Sequence, residues 1–256
     1  MSGGGWRAAA NTATAANAVL GLGAVAYALT GNPRFALLLI VGAIGFDGLD
    51  GLLSRRASGP PRALGRILDS VADALSFALA PAVLVAYHTY NLGSWHPYAI
   101  AALLVGVEVG ALAIARLVYF TLRGFAHKNF VGASTPQNAL ALTVLILFLD
   151  VPGFLGTQPV VLLALTALLA PLMVLPIPYP KMRRGAPLRR EMTLTSLALA
   201  AALIPQQWWP TAGSFWYLFS EVAAALAAAG LATYYLLGPR LVRLGERLPL
   251  EGAPHA

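Results

Sequence analysis

The sequence predicts an all-α protein: a polytopic transmembrane helical bundle of about eight spans, with both termini cytoplasmic. Hydrophobic residues make up 58% of the 256 residues and charged residues only 11%, whereas soluble domains carry about 25% charged residues. The apolar residues fall into long runs, and the cationic residues concentrate in alternate connections between these runs. Together these observations indicate a multi-pass protein of the plasma membrane.

Eight apolar runs, bounded by Pro, Gly, aromatic or charged residues, predict the helices. They are Thr14–Leu29, Phe35–Leu53, Leu64–Tyr87, Tyr98–Leu122, Pro136–Leu149, Pro159–Leu175, Met192–Ile204 and Phe215–Leu237. No repeat or separate soluble domain is visible, so residues 1–238 are predicted to form one membrane domain and residues 239–256 a basic cytoplasmic tail.

The Lys and Arg residues orient these helices. They cluster in the connections after the second, fourth and sixth helices and in the C-terminal tail, whereas the other connections contain Arg34 alone. By the positive-inside rule, the even-numbered connections and both termini are cytoplasmic. The same placement argues against a nucleic-acid partner, because the net charge of +7 is spread over short membrane connections.

Four carboxylates stand out within the second and third helices. Asp47 and Asp50 are spaced i,i+3, and Asp69 and Asp73 are spaced i,i+4, so each pair lies on one helix face. A carboxylate in a membrane helix costs about 2.5–3.5 kcal/mol on insertion scales, so each calls for a partner or a purpose. Because the two helices are consecutive and antiparallel, both pairs are expected at a similar depth, where they can converge.

Converging carboxylates indicate a site for hard divalent cations. Four anions would repel one another unless cations were bound, and an all-oxygen ligand set suits two Mg²⁺ or Mn²⁺ ions. The chain contains no Cys, which excludes thiolate ligands. The alternative is that the Asp residues cap helices or pair with nearby arginines, namely Arg55, Arg62 and Arg66.

The segment from residue 47 to residue 73 carries a family resemblance. It reads DGLDGLLSRRASGPPRALGRILDSVAD. This resembles the signature of the CDP-alcohol phosphotransferases, D-x2-D-G-x2-A-R followed, after eight or nine residues, by G-x3-D-x3-D. Seven of the eight fixed positions agree, and Ser54 stands where the family has Ala.

The resemblance implies a helical membrane enzyme, commonly a homodimer, with two divalent metal ions at the cytoplasmic face. It implies that Asp47, Asp50, Asp69 and Asp73 hold the metal ions and that Asp73 is also the general base. Four residues that would border the CDP group are Gly51, Ser54, Arg55 and Gly65. The substrates would be a CDP-activated lipid and a small alcohol, which meet among membrane lipids.

Weaker matches indicate the branch of the family that makes phosphatidylserine, or archaetidylserine in archaea, with L-serine as the acceptor. They are Thr14, Asn17 and Gly21 in a T-x2-N-x3-G pattern, the stretch SFALAPA at residues 76–82, Phe130-Val131-Gly132 followed by Pro136, and Pro178-Tyr179-Pro180-Lys181. Thr14 and Asn17 are candidates for binding the cytosine base, although Asn in a membrane helix equally serves helix–helix contacts.

Arg116 and Lys128 are the candidate cations for the acceptor. Arg116 lies about two turns inside the cytoplasmic end of the fourth helix, where it could bind the serine carboxylate or a lipid phosphate. The alternative roles of Arg116 are snorkelling to the headgroups or pairing with an Asp.

Rival functions of the protein are a sister enzyme using glycerol phosphate or inositol phosphate and, more remotely, a divalent cation transporter. No Ser or Cys nucleophile constellation is visible, which favours direct transfer.

Overall fold

The computed structural model describes residues 3–57, 63–92, 98–123, 130–150, 158–180, 189–208 and 215–247. Lys128 and Arg62 lie outside the described residues. The described helices are α1 (Gly3–Leu29), α2 (Pro33–Ser54), α3 (Ala63–Asp73), α4 (Ala80–Leu92), α5 (Ala99–Arg123), α6 (Thr135–Asp150), α7 (Pro159–Leu169), α8 (Arg189–Trp208) and α9 (Phe215–Arg247). A π-helical turn, Ala74–Leu79, joins α3 to α4, and a 3₁₀ turn, Ala170–Met173, extends α7.

Each of the eight apolar runs lies in helical structure, and two predicted ends are wrong by about ten residues. The first helix begins at Gly3 rather than Thr14, because the alanine-rich segment before Thr14 has high helix propensity. The last helix continues through Pro239 to Arg247 rather than ending at Leu237. Proline removes one backbone donor, and the rest of the helix continues past it.

Two short strands lie among the described helices, and the all-α prediction did not include them. Strand β1 (Phe130–Val131) pairs antiparallel with β2 (Pro178–Tyr179), with Phe130 opposite Tyr179. Gly132 follows β1 with a φ of 77°, and a Cβ there would collide with the backbone carbonyl of Met173. Glycine is therefore required where the connection after α5 crosses the end of α7.

Within the described residues, five helices are long and apolar enough to cross a membrane. They are Gly4–Leu29, Pro33–Ser54, Leu64–Tyr87, Ala99–Leu122 and Phe215–Leu244. The apolar helices Thr135–Leu149 and Pro159–Met173 are shorter. Helix α6 is buried along almost its whole length, which places it inside the bundle rather than against lipid. The prediction of a predominantly helical membrane protein is thus confirmed.

Helix α1 positions the carboxylate-bearing helices. It packs along α2 and also contacts α3, the π-helical turn and α4. Trp6 near the start of α1 lies beneath the guanidinium of Arg56, with Cζ 5.2 Å from the ring centroid. The start of α1 and the end of α2 therefore lie at the same end of the bundle.

Candidate active site

Three of the four predicted carboxylates meet between α2 and α3. Asp47 comes from α2, and Asp69 and Asp73 come from successive turns of α3. Each offers a carboxylate oxygen, and these three oxygens all lie within 4.8 Å of one another. The expectation that the two helices bring their carboxylates to a similar depth is confirmed for these residues.

Asp50 lies beside this group and is held from α1. It is buried, and its Oδ2 accepts a hydrogen bond of 2.8 Å from the hydroxyl of Thr14. Its carboxyl group also interacts with that of Asp69. The structure therefore brings Asp47, Asp69 and Asp73 within mutual reach of one ion and places Asp50 at the edge of the cluster.

The carboxylate cluster fits a divalent cation. Oδ1 of Asp69 is buried and has no hydrogen-bond partner, which is costly for a carboxylate oxygen unless something else satisfies it. The clustered side chains offer oxygen ligands, the type that Mg²⁺ and Mn²⁺ prefer. Bound cations would both relieve the mutual repulsion of the carboxylates and satisfy the buried oxygen.

Asn17 on α1 contacts the cluster at Asp73. Its side chain is 0% exposed, and its Nδ2 donates a hydrogen bond of 3.1 Å to Oδ1 of Asp73. The hydroxyl of Ser76, in the π-helical turn, donates a 2.8 Å hydrogen bond to the backbone oxygen of Asn17. Two hydrogen bonds thus connect α1 to the segment that carries Asp73.

The π-helical turn begins directly after Asp73, at Ala74. Such turns are rare and occur frequently at functional sites. Here the turn brings the backbone of Ser76 against α1, where a Cβ on Gly21 would lie 2.8 Å from the Ser76 backbone nitrogen. Glycine at position 21 is therefore what permits this close approach.

Thr14, Asn17 and Gly21 share a role that the sequence did not reveal. They are spaced i, i+3 and i+7 on α1, so they lie on one helix face. That face contacts Asp50, Asp73 and Ser76 respectively. The spacing was the available signal, but it could not identify the partners.

The residues expected to border the nucleotide lie at the open end of α2 and α3. A Cβ at Gly65 would have no neighbour within 4 Å, and one at Gly51 would lie 3.5 Å from Nη1 of Arg55. Ser54 and Arg55 are exposed, and the Ser54 hydroxyl donates to the Gly51 carbonyl at 3.3 Å. Open space for a ligand therefore adjoins the carboxylates, and the side chain of Arg55 lies at the edge of this space.

Arg116 is buried on α5 and 6% exposed, which excludes the snorkelling alternative. Its Nη1 donates a 3.2 Å hydrogen bond to Oγ1 of Thr135, and its Cζ lies 4.6 Å from the ring centroid of Phe120. Its charge also interacts with that of Asp73. Arg116 therefore lies within electrostatic range of the carboxylate cluster.

The sequence of this chain matches a known protein family over most of its length. The family model for CDP-alcohol phosphatidyltransferases matches residues 7–175. This chain belongs to the CDP-alcohol phosphatidyltransferase family. The match includes the four Asp residues, the α1 face that contacts them and Arg116. The family is generally dependent on divalent cations, in agreement with the carboxylate cluster.

Several relatives carry more specific names. The chain is 34% identical over 126 residues to the CDP-diacylglycerol–serine O-phosphatidyltransferase of Mycobacterium bovis, a match that covers 48% of this chain and 43% of the relative. It is 30% identical over 176 residues to the Helicobacter pylori protein of the same name, a match that covers 68% of this chain and 72% of the relative. The archaetidylserine synthase of Methanothermobacter thermautotrophicus is 30% identical over 128 residues, a match that covers 50% of this chain and 52% of the relative. The chain thus spans less than half the length of the mycobacterial relative.

Proposed function

We propose that this protein transfers a phosphatidyl-type group from a CDP-activated lipid, CDP-diacylglycerol or an ether analogue, to the hydroxyl of L-serine and releases CMP. The observation that carries the proposal is the convergence of Asp47, Asp69 and Asp73 within a membrane bundle of this family. The names of the serine-using relatives support serine as the acceptor.

Asp47, Asp50, Asp69 and Asp73 would hold two divalent ions, Mg²⁺ or Mn²⁺. When bound, such ions neutralise the diphosphate and the developing charge on the leaving CMP. Asp50 contributes through its contact with Asp69, while Thr14 keeps its carboxylate oriented. The buried, unpartnered oxygen of Asp69 supports its role as a ligand.

Asp73 is the proposed general base. The serine oxygen forms a bond to the phosphorus nearer the lipid, the bond from that phosphorus to the bridging oxygen breaks, and CMP leaves with the electron pair. The proton of the serine hydroxyl passes to the Asp73 carboxylate, which Asn17 orients through its bond to Oδ1. No covalent enzyme intermediate is required.

Gly51, Ser54, Arg55 and Gly65 would border the CDP group in the open space beside the carboxylates. Thr14 and Asn17 donate hydrogen bonds to Asp50 and Asp73, and they are proposed to orient these carboxylates. They also remain the proposed contacts of the cytosine base, since Oδ1 of Asn17 is buried without a hydrogen-bond partner. Arg116, and Lys128 in the adjacent connection, are proposed to recognise the acceptor.

The membrane placement extends the same proposal. We place the catalytic domain in residues 1–238, with eight spans, both termini in the cytoplasm and the site at the cytoplasmic face of the plasma membrane. The contact between Trp6 and Arg56 supports a common side for the first helix start and the first basic connection. A homodimer is proposed from the family resemblance.

The deciding experiment measures CMP release from a CDP-lipid by the purified protein. Serine, glycerol phosphate and inositol phosphate are compared as acceptors, with and without a metal chelator. Metal-dependent CMP release with serine alone is the expected result. Release with one of the sugar or polyol phosphates instead would assign a sister activity, and no release with any acceptor would contradict the proposed function.

A further inference from the structure

The last helix, α9, reaches a polar cluster next to Arg116, although α9 lies outside the residues that the family model matches. Tyr234 of α9 is 0% exposed. Its ring stacks on Tyr179 of β2, with centroids 5.2 Å apart and an interplanar angle of 21°. A buried tyrosine hydroxyl requires a hydrogen-bond partner, and here it donates to Oε1 of Gln137 at 2.8 Å.

Gln137 links Tyr234 to Ser134 at the start of α6. The same Oε1 accepts a 3.3 Å hydrogen bond from the backbone nitrogen of Ser134 and a further one from the Ser134 hydroxyl. One oxygen thereby fixes the residue that precedes the helix. Tyr234 and Ser134 therefore jointly determine where the Gln137 amide lies.

Thr135, the first residue of α6, follows Ser134 directly and is buried. Its Oγ1 accepts the hydrogen bond from Nη1 of Arg116. A continuous path of side chains and one peptide unit therefore runs from Tyr234 through Gln137 and Ser134 to the guanidinium of Arg116.

The orientation of this guanidinium matters for the chemistry it can perform. A guanidinium recognises a carboxylate best through two parallel hydrogen bonds, which require its plane to be held in one direction. The Phe120 ring supports one face of the Arg116 group, and Thr135 holds one of its nitrogens. The charge of Arg116 also acts on Asp73, the proposed general base.

We propose that Tyr234 is a positioning residue for acceptor recognition: through Gln137 and the start of α6, it holds the guanidinium of Arg116 so that it receives the carboxylate of the acceptor. The inference rests on the proposed function. It adds Tyr234, a residue of α9, to the residues that select the acceptor.

The test is the kinetics of Tyr234→Phe, which removes the hydroxyl and keeps the ring that stacks on Tyr179. Loss of one hydrogen bond in the path is expected to raise the KM for serine about fivefold. The kcat and the KM for CDP-lipid should stay within about twofold of the wild type. This split separates a positioning role from general damage to the fold.

Tyr217→Phe is the control. It removes a hydroxyl from the same helix, α9, where the neighbouring charges are those of Glu221 and Arg34 rather than Arg116, and it should leave the KM for serine unchanged. Ser134→Ala removes another donor to the Gln137 oxygen and should repeat the Tyr234→Phe effect. It also provides the test should Tyr234→Phe fail to fold.

Three outcomes would overturn the inference. They are equal effects of the two tyrosine substitutions, a rise in the KM for CDP-lipid as large as that for serine, and a lowered melting temperature with unchanged serine kinetics. If the wild type uses serine and Tyr234→Phe does not change its KM, this inference alone fails. If the wild type releases no CMP with serine, the proposed function fails and the inference fails with it.

Discussion

The amide of Asn17, on the first helix, donates a 3.1 Å hydrogen bond to the carboxylate of Asp73, at the end of the third. The Ser76 hydroxyl returns a hydrogen bond to the backbone oxygen of Asn17. The proposed base is therefore held from a helix that carries no carboxylate in its described length. This relationship makes the first helix part of the candidate active site.

Asn17→Ala should lower kcat about tenfold and leave the KM for CDP-lipid within about twofold. The substitution removes one hydrogen bond to a charged group, a contact worth about 1.5–3 kcal/mol, so Asp73 loses its preferred orientation. Steady-state CMP release measures both constants. Thr12→Ala is the control, because Thr12 lies on the same helix but is exposed. A rise in the KM for CDP-lipid without a change in kcat would instead indicate contact with the nucleotide alone.

Asp73→Asn should lower turnover about 10²-fold or more while metal-dependent binding of CDP-lipid survives. Asn keeps the size and the oxygen that accepts from Asn17, but it cannot take the proton. Asp47→Asn should weaken both binding and turnover, with partial rescue at high metal concentration. CDP-lipid binding and single-turnover CMP release are measured against metal concentration. If added metal restores Asp73→Asn, then Asp73 is a ligand only.

Gly21→Ala and Gly65→Ala should fail in different ways. A Cβ at position 21 would lie 2.8 Å from the Ser76 backbone nitrogen, so overpacking should destabilise the protein by about 1–3 kcal/mol. Position 65 faces open space, so Gly65→Ala should keep its melting temperature and raise the KM for CDP-lipid. Thermal unfolding in detergent and CMP release are compared for both variants. Normal CDP-lipid kinetics in Gly65→Ala would remove that surface from the site.

Arg116→Ala should raise the KM for serine at least tenfold, because it removes the proposed partner of the acceptor carboxylate. Arg116→Lys should recover only part of the loss, since an ammonium cannot form the paired hydrogen bonds of a guanidinium. Arg243→Ala on α9 serves as an exposed arginine control. Unchanged serine kinetics in Arg116→Ala would exclude Arg116 from the acceptor site.

The proposed orientation predicts opposite accessibility for Thr30 and Arg56. Because the chain has no Cys, single cysteines can be introduced without background labelling. A membrane-impermeant thiol reagent should label Thr30→Cys in intact cells and Arg56→Cys only after permeabilisation. Both residues are exposed at helix ends. The reverse pattern would invert the proposed orientation.

Much of this architecture could be predicted from the sequence because the membrane imposes strong rules. The apolar runs located the described helices, and the carboxylate spacing predicted that Asp47, Asp50, Asp69 and Asp73 converge. Three of these, Asp47, Asp69 and Asp73, form the cluster in the structure. Helical periodicity is local, so residues four apart share a face whatever surrounds them. Helix ends were less predictable, as Gly3 and Arg247 show, because propensity and packing beyond the apolar run determine them.

The tertiary structure alone determined which distant side chains meet. Asn17 and Asp73, and likewise Tyr234 and Gln137, are far apart in the chain, and each residue has many conceivable partners. The pairing of β1 with β2 and the entry of α9 into the polar cluster also depend on how the helices pack. Local sequence determined the helices and the faces on which their carboxylates lie. Contacts between distant segments form only when the helices pack, because each polar group that packing buries must then find a hydrogen-bond partner.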